Sequence, residues 1–286
     1  MNNIKIVGRN FFSLISGQTV VFILKAVWII IFIRYLGQED YGKFSLAMTI
    51  SGFLAIFLNF GFNVVHIREV SANRSLADRY YSNVSSLRLL IGFVICAIAI
   101  MIGVLSGYPP DLFWTVILLT LTAVIWYLAR TGFDFLRAIQ DMKYEAIAEP
   151  LSSLSVVLLG LGCIWLKKGI VWFALVHVTG AVLFLLVSLQ IVFKKRVKII
   201  SPMDVSFVTQ FVRNSFFIGL GGLGFFIYNK IDVVMIERFL DYKAVGLYSC
   251  AYRFIDISGI FHMAFYGAAF PLLAKTFKSG DSRYLN

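Results

Sequence analysis

Arg34 to Ala47 reads RYLGQEDYGKFSLA, and Arg238 to Ala251 reads RFLDYKAVGLYSCA. A gapless shift of 204 positions lays Arg34 on Arg238, Leu36 on Leu240, Gly42 on Gly246, Ser45 on Ser249 and Ala47 on Ala251. The same shift carries Arg9-Asn10 onto Arg213-Asn214, Phe12 onto Phe216 and Gly17 onto Gly221. Further along it carries Phe22-Ile23 onto Phe226-Ile227 and Ile56-Phe57 onto Ile260-Phe261. About a dozen identities over roughly fifty positions, with no insertion, mark a duplicated unit. Each copy has a basic start, a long apolar run, a short polar turn with Gly and a second apolar run.

Composition says where such a unit lives. The 286-residue chain is 59% hydrophobic and 14% charged, with a mean hydropathy of +0.84. Several runs exceed the roughly 20 apolar residues needed to cross about 30 Å of hydrocarbon. They are continuous rather than alternating, so they predict helices and not barrel strands. The net charge of +11 would raise the question of nucleic acid in a soluble protein. In a membrane protein it is explained by basic cytoplasmic loops, and no nucleic-acid partner is expected. Cys96, Cys163 and Cys250 lie within apolar runs and suggest packing, not a disulfide framework. Lys5 and Arg9 precede a first run too long for a signal-peptide core and lacking a small-residue cleavage site, so it reads as a retained span.

The expected fold class is an all-α polytopic membrane protein of about eight transmembrane helices. The spans are Phe11–Ile33, Phe44–Val65, Val84–Leu105, Leu112–Ala129, Ile147–Leu166, Ile170–Phe193, Phe211–Ile236 and Ala244–Phe270. Arg68, Arg74, Arg79 and Arg88 fall at or around the second exit; Arg130, Arg137 and Lys143 follow the fourth, and Lys194, Lys195, Arg196 and Lys198 the sixth. The opposite loops are poor in Lys and Arg, which puts the N-terminus in the cytoplasm. Residues 1–198 form an N-lobe of six spans, and residues 199–286 a linker and the first two spans of a repeated second lobe. Val205–Val212 suits a short helix on the inner membrane surface. Because the second copy has two spans where the first has six, we expect the sequence to be truncated at its C-terminus. Two related halves in a membrane usually mean a transporter with its pathway between them.

These residues resemble the Wzx-type oligosaccharide flippases of surface-polysaccharide assembly, within the group that includes the multidrug/oligosaccharidyl-lipid/polysaccharide (MOP) exporters. The resemblance rests on RYLGQEDYGKFSLA, on NFGFN at Asn59–Asn63 and on REVSANR at Arg68–Arg74. It continues through KIDVVMIERFL at Lys230–Leu240, GLYSCAYR at Gly246–Arg253 and Phe270-Pro271. It implies two six-helix lobes in a V around a central cavity, the first complete here and the second represented by its opening pair. The position before Phe60-Gly61 is often Asp in such proteins; here it is Asn59, so no carboxylate role carries over.

Charges inside spans are costly, about 2.5–3.5 kcal/mol each on insertion scales, and mark pathways or partners. Lys25 sits near the middle of the first span, Lys230 and Asp232 in the seventh, and Arg253 and Asp256 in the eighth. Arg253 and Asp256 are three apart and share a helix face. The acidic and basic residues of the last two spans fit structural salt bridges. Equally, Lys25, Arg253 and Lys230 fit an electropositive cavity for a lipid diphosphate, since a guanidinium takes phosphate bidentately. The resemblance favours Arg253, which matches the family's arginine in GxYxxAxR. Asp232 and Asp256 are candidates for ion coupling or for salt bridges. Arg34 and Arg238, at equivalent outer ends of the first and seventh spans, suit interfacial anchors or partners of Glu39 and Glu237. Tyr35, Tyr41, Tyr242 and Tyr248 suit an aromatic belt at that level. GLGGLG at Gly219–Gly224 lies inside an apolar span with no preceding strand, so it suits helix packing or a bend and not dinucleotide binding. His66, His177 and His262 have no metal spacing.

The resemblance thus implies a flippase, not an enzyme, moving polyprenyl-diphosphate-linked oligosaccharide across the bacterial inner membrane by alternating access. No cofactor or metal is expected; a proton or sodium gradient is the candidate for coupling. Membrane lipids and polysaccharide polymerase machinery are the expected neighbours. The alternative is a MATE-like multidrug or organic-cation antiporter, whose cavity would favour carboxylates.

Overall fold

The computed structural model describes residues 2–197 and 203–253, with the side chains of Thr19 and of residues from Val21 onward. Among them the regular structure is helical throughout. Helix α1 (Asn2–Asn59) breaks at Gly37, whose φ of 72° only glycine adopts readily, into arms 2–36 and 38–59. At 1.5 Å per residue each arm is long enough for roughly 30 Å of hydrocarbon. A turn at Phe60-Gly61 leads to α2 (Phe62–Ala72), then a 3-10 turn at Arg74–Leu76 and α3 (Ala77–Leu105). There follow α4 (Pro110–Ala138), α5 (Lys143–Trp165), α6 (Ile170–Lys194) and α7 (Val205–Phe239). An eighth helix, α8, starts at 242 and is described to 253.

Six of the described helical stretches are long and apolar enough to cross a membrane, the one at Val21–Ala72 running across the bend at Gly37. The chain is therefore a multi-pass membrane protein. Two expectations change. The second span does not run through Phe44–Val65; it stops at Asn59, because Phe60 and Gly61 have φ of 25° and 77°. Residues Val205–Val212 are not a separate surface helix but the first turns of α7. They are held there by Phe207 and Phe211, whose rings lie 4.7 and 5.8 Å from Tyr80. The eighth expected span, Ala244–Phe270, lies mostly outside the described residues.

Two aromatic-rich clusters form the core. In one, Phe32 of α1 meets Phe44 at 4.9 Å and Phe173 of α6 at 5.0 Å, so the two arms close on α6. In the other, Phe62, Tyr80, Phe133, Phe184 and Phe211 join α2, α3, α4, α6 and the start of α7. Between helices, serine hydroxyls reach backbone carbonyls: Ser188 donates to Ala129 at 2.7 Å and Ser152 to Gly180 at 2.8 Å. Small residues and such bonds are what bring helices together where lipid is as apolar as leucine. Phe93, Leu105, Trp165 and Phe217 point outward, each at least 77% exposed, as a lipid-facing surface would have them.

Arg88 does not belong with the exit-loop cations. It is fully buried on α3 and donates to the carbonyls of Leu58 (3.0 Å) and Tyr127 (2.9 Å) and to Thr131 Oγ1 (2.7 Å). Its fourth partner is the fully buried Asp134, at 3.5 Å. Tyr127, Thr131 and Asp134 repeat at helical spacing, so one face of α4 receives the guanidinium. Nearby Glu145, 1% exposed, is held by Arg130 at 2.5 Å and Arg137 at 2.7 Å. These cations are engaged inside the lobe by buried carboxylates.

Candidate functional site

The repeat meets itself in space. A methyl group added at Gly42 would overlap the carbonyl of Tyr242, and one at Gly246 would overlap the carbonyl of Gln38. The shift of 204 turns Gln38 into position 242 and Gly42 into position 246. The two contacts are therefore one contact made twice, related by an approximate two-fold axis between the second arm of α1 and the start of α8. Only glycine lets the two backbones cross this closely. Just outside the crossing, Lys43 pairs with Asp111 at 3.0 Å and lies 5.8 Å from the Tyr242 ring, tying α4 to both copies.

On either side of the crossing lies a cavity, one of about 460 Å³ and one of about 140 Å³. The larger is lined by Phe22, Lys25, Ala26, Ile29, Phe44 and Met48. The smaller is lined by Phe226, Asn229, Lys230, Val233, Tyr248 and Tyr252, the same six positions shifted by 204. The two cavities are one site duplicated, and they have diverged. The first copy adds Trp28, Phe32, Tyr41 and His177 and is the more apolar of the two. The second adds Ser45, Thr49 and Ser249 and is polar. Arg253 and Met48 line both and form the wall between them.

The structure thus brings three predicted residues, Lys25, Lys230 and Arg253, to one pair of adjoining cavities. Arg253 donates its Nε hydrogen to the hydroxyl of Tyr41 at 3.3 Å, a bond from the second copy to the first. Lys230 lies 5.0 Å from the ring of Tyr252 and makes no salt bridge among the described residues. Asp232 does not pair with Lys230; its carboxylate accepts from the hydroxyl of Tyr248 and from the Val233 amide at 2.9 Å. That bond joins α7 to α8. Arg34 and Arg238 are exposed, away from both cavities, and Glu39 is engaged by Lys43 at 3.6 Å. Asp256 lies outside the described residues. Gly219 of the GLGGLG run receives the Phe60 ring, a packing role, whereas Gly221, Gly222 and Gly224 face open space.

Three residues escaped the sequence reading. Tyr41, assigned to an interfacial belt, is 1% exposed and forms the cavity floor beneath Arg253. The signal was its place one residue before the shared Gly42. Ser45 and Ser249 were seen as an identity of the repeat and not as site residues; their equivalence in two polar-turn copies was the available clue. No group of His, Cys, Asp and Glu among the described residues has the arrangement of a metal centre.

The fold and site thus define a membrane protein with a duplicated helical unit and cation-lined cavities on the seam between the copies. Its fold is similar to two solved structures, titled as the inward-facing and outward-facing conformations of a multidrug resistance MATE family transporter of the MOP superfamily. The TM-scores are 0.61 and 0.64 at 22% and 18% identity, covering 82% and 88% of this chain. The chain spans 57% and 60% of those two structures' chains, less than two thirds. No curated protein matches it. The chain belongs to the family described as Polysaccharide biosynthesis protein, whose model matches residues 7–277.

Proposed function

We propose that this chain is part of a flippase that moves polyprenyl-diphosphate-linked oligosaccharide from the inner to the outer leaflet of a bacterial inner membrane, with its N-terminus in the cytoplasm. The observation that carries the reading is the pairing of Lys25 and Arg253, from different copies of the repeat, across one seam cavity. A diphosphate cannot enter hydrocarbon without fixed countercharge, and cations kept inside spans, at about 2.5–3.5 kcal/mol each, supply that countercharge at this seam. Membership of the polysaccharide biosynthesis family supports a lipid-linked saccharide as that anion. Placing charge from both copies on the ligand also suits alternating access, in which two halves rock about a central site. The lipid tail would stay in the bilayer beside the seam. Asp232, tied to Tyr248, and Asp256 are the carboxylates through which a proton or sodium gradient would couple, and the polysaccharide polymerase machinery would take the product.

The two MATE structures favour a second reading, a multidrug antiporter, but neither seam cavity has a carboxylate among its described lining residues to receive an organic cation. The experiment is deletion of the full-length gene, followed by assay of the leaflet on which lipid-linked glycan accumulates. Complete repeat units facing the cytoplasm, relieved by the intact gene and not by Lys25→Ala/Arg253→Ala, are the expected result. Unchanged glycan with altered sensitivity to cationic drugs would replace the flippase with the antiporter.

A further inference from the structure

The polar cavity of about 140 Å³ contains an unresolved chemical demand. Ser45 and Ser249 line it, 6% and 9% exposed, and neither hydroxyl has a hydrogen-bond partner among the described residues. A buried hydroxyl left unpaired is destabilising, so two of them at equivalent positions of a repeat call for an occupant. Three other polar groups of the lining already donate elsewhere: Thr49 to the Ser45 carbonyl at 2.9 Å, Asn229 to the Phe225 carbonyl at 2.7 Å and Tyr248 to the Asp232 carboxylate. The charges beside the serines are Lys230 and Arg253, with no carboxylate on the described lining. Hydroxyl donors with two cations reject a metal ion and an organic cation alike, and match the oxygens of a tetrahedral anion.

We propose that this cavity is a two-repeat phosphate subsite: Ser45 donates from the first copy and Ser249 from the second, with Lys230 and Arg253 as countercharge. The inference rests on the flippase reading, and assigns the diphosphate to the small polar cavity instead of the larger apolar one. It has a mechanical consequence. Ser45 and Ser249 each lie three residues past the crossing glycines Gly42 and Gly246, so a phosphate between them ties the copies together at their crossing. Substrate binding and seam closure become the same event.

The test uses full-length protein in lipid nanodiscs, with farnesyl diphosphate, inorganic pyrophosphate and inorganic phosphate as probes in calorimetric titrations. Ser45→Ala/Ser249→Ala keeps the close packing and removes only the donors. It should weaken farnesyl diphosphate binding by on the order of tenfold per serine, the size of a hydrogen bond to a charged group. Ser249→Thr should retain affinity, and the ligand-free melting temperature of the alanine variant should be no lower than the parent's, because the unpaired hydroxyls are gone. Farnesyl diphosphate binding much tighter than pyrophosphate or phosphate supports a lipid-linked ligand; equal binding supports the subsite and overturns that source. Undiminished binding in the alanine variant overturns the subsite and leaves the flippase reading intact. If the parent binds none of the three probes, the anion assignment is wrong. If binding depends on the serines but glycan export does not need the gene, the subsite stands and the flippase reading falls.

Discussion

The two copies of the repeat interrupt their helices at the same place by different means. In the first copy Gly37 turns the chain at φ 72°, and one helix bends into two arms. In the second copy the equivalent position is Asp241, and the helix ends. Asp241 then caps α8, its carboxylate accepting the Ala244 amide at 2.8 Å. Below the break the copies diverge again: Lys25 aligns with Asn229, and Ala26 with Lys230, so each cavity keeps one lysine, moved by one residue. What stays constant is the glycine crossing. Duplication preserved the place where the halves touch and left the cavities beside it free to specialise, one apolar and one polar.

The sharpest way to break this comparison is to fill the crossing. Gly42→Leu and Gly246→Leu each push a side chain into the other copy's backbone. Both should abolish complementation of glycan export while the protein still reaches the membrane. Equal severity supports a working two-fold relation between the copies. If Gly246→Leu exports normally, the seam need not close in the cycle.

Next in size is a contrast between the lobe interior and the seam. Removing one partner of a buried ion pair costs about 3–5 kcal/mol, because the other charge is stranded. Arg88→Leu should lower the unfolding midpoint accordingly, leaving Asp134 and the Leu58 and Tyr127 carbonyls unpaired. Arg88→Leu/Asp134→Leu should recover much of that loss. If the double variant is as unstable as the single, the carbonyl bonds and not the ion pair hold α3 to α4.

Smaller effects separate the two breaks. Gly37→Ala meets open space but forces a left-handed backbone on a residue with Cβ, about 1–2 kcal/mol. Asp241→Ala forfeits a helix cap, about 1 kcal/mol. Thermal unfolding of both should rank the glycine first; the reverse order would mean that the Asp241 cap also fixes the crossing.

Much of this was legible from residues alone. Apolar runs fixed helices and membrane, and the duplication named the crossing, since an identity at Gly42 and Gly246 survives only where a Cβ is excluded from both copies. The placement of Lys25, Lys230 and Arg253 together followed from the cost of charge in a span. What stayed hidden depended on which way a side chain faces. Arg88 lies just inside the third span, and sequence does not say whether such a residue snorkels to the rim or turns inward to carbonyls. Tyr41 has the composition of an interfacial residue and the position of a core one. The end of a helix at Asn59 was equally invisible, because Phe60-Gly61 becomes a turn only when α7 packs behind it, with Ile218 and Ser215 crowding Gly61.

The smallest predicted effect concerns the entry to the second copy. Asp204 precedes α7 and accepts the Phe207 amide at 3.0 Å and the Arg79 guanidinium at 2.6 Å, while its own amide donates to Asn83 at 2.7 Å. The Phe207 amide, and then Arg79, hold its carboxyl below the ordinary value of 3.8. A depressed carboxylate contributes stability that is full above its unfolded pKa and is lost as pH falls through the folded one. The clamp should therefore be constant across neutral pH and weaken only in acid, below the ordinary carboxylate range. Asparagine caps a helix as well as aspartate, so Asp204→Asn removes the charge and spares the cap. The variant should melt slightly below the parent at pH 7, by a margin that shrinks with added salt, as an exposed pair must, and closes as the pH is lowered. A margin unmoved by both salt and acid would place the anchoring of α7 in the Asn83 bond instead, and the charge of Asp204 would then have no part in holding the second copy to the first lobe.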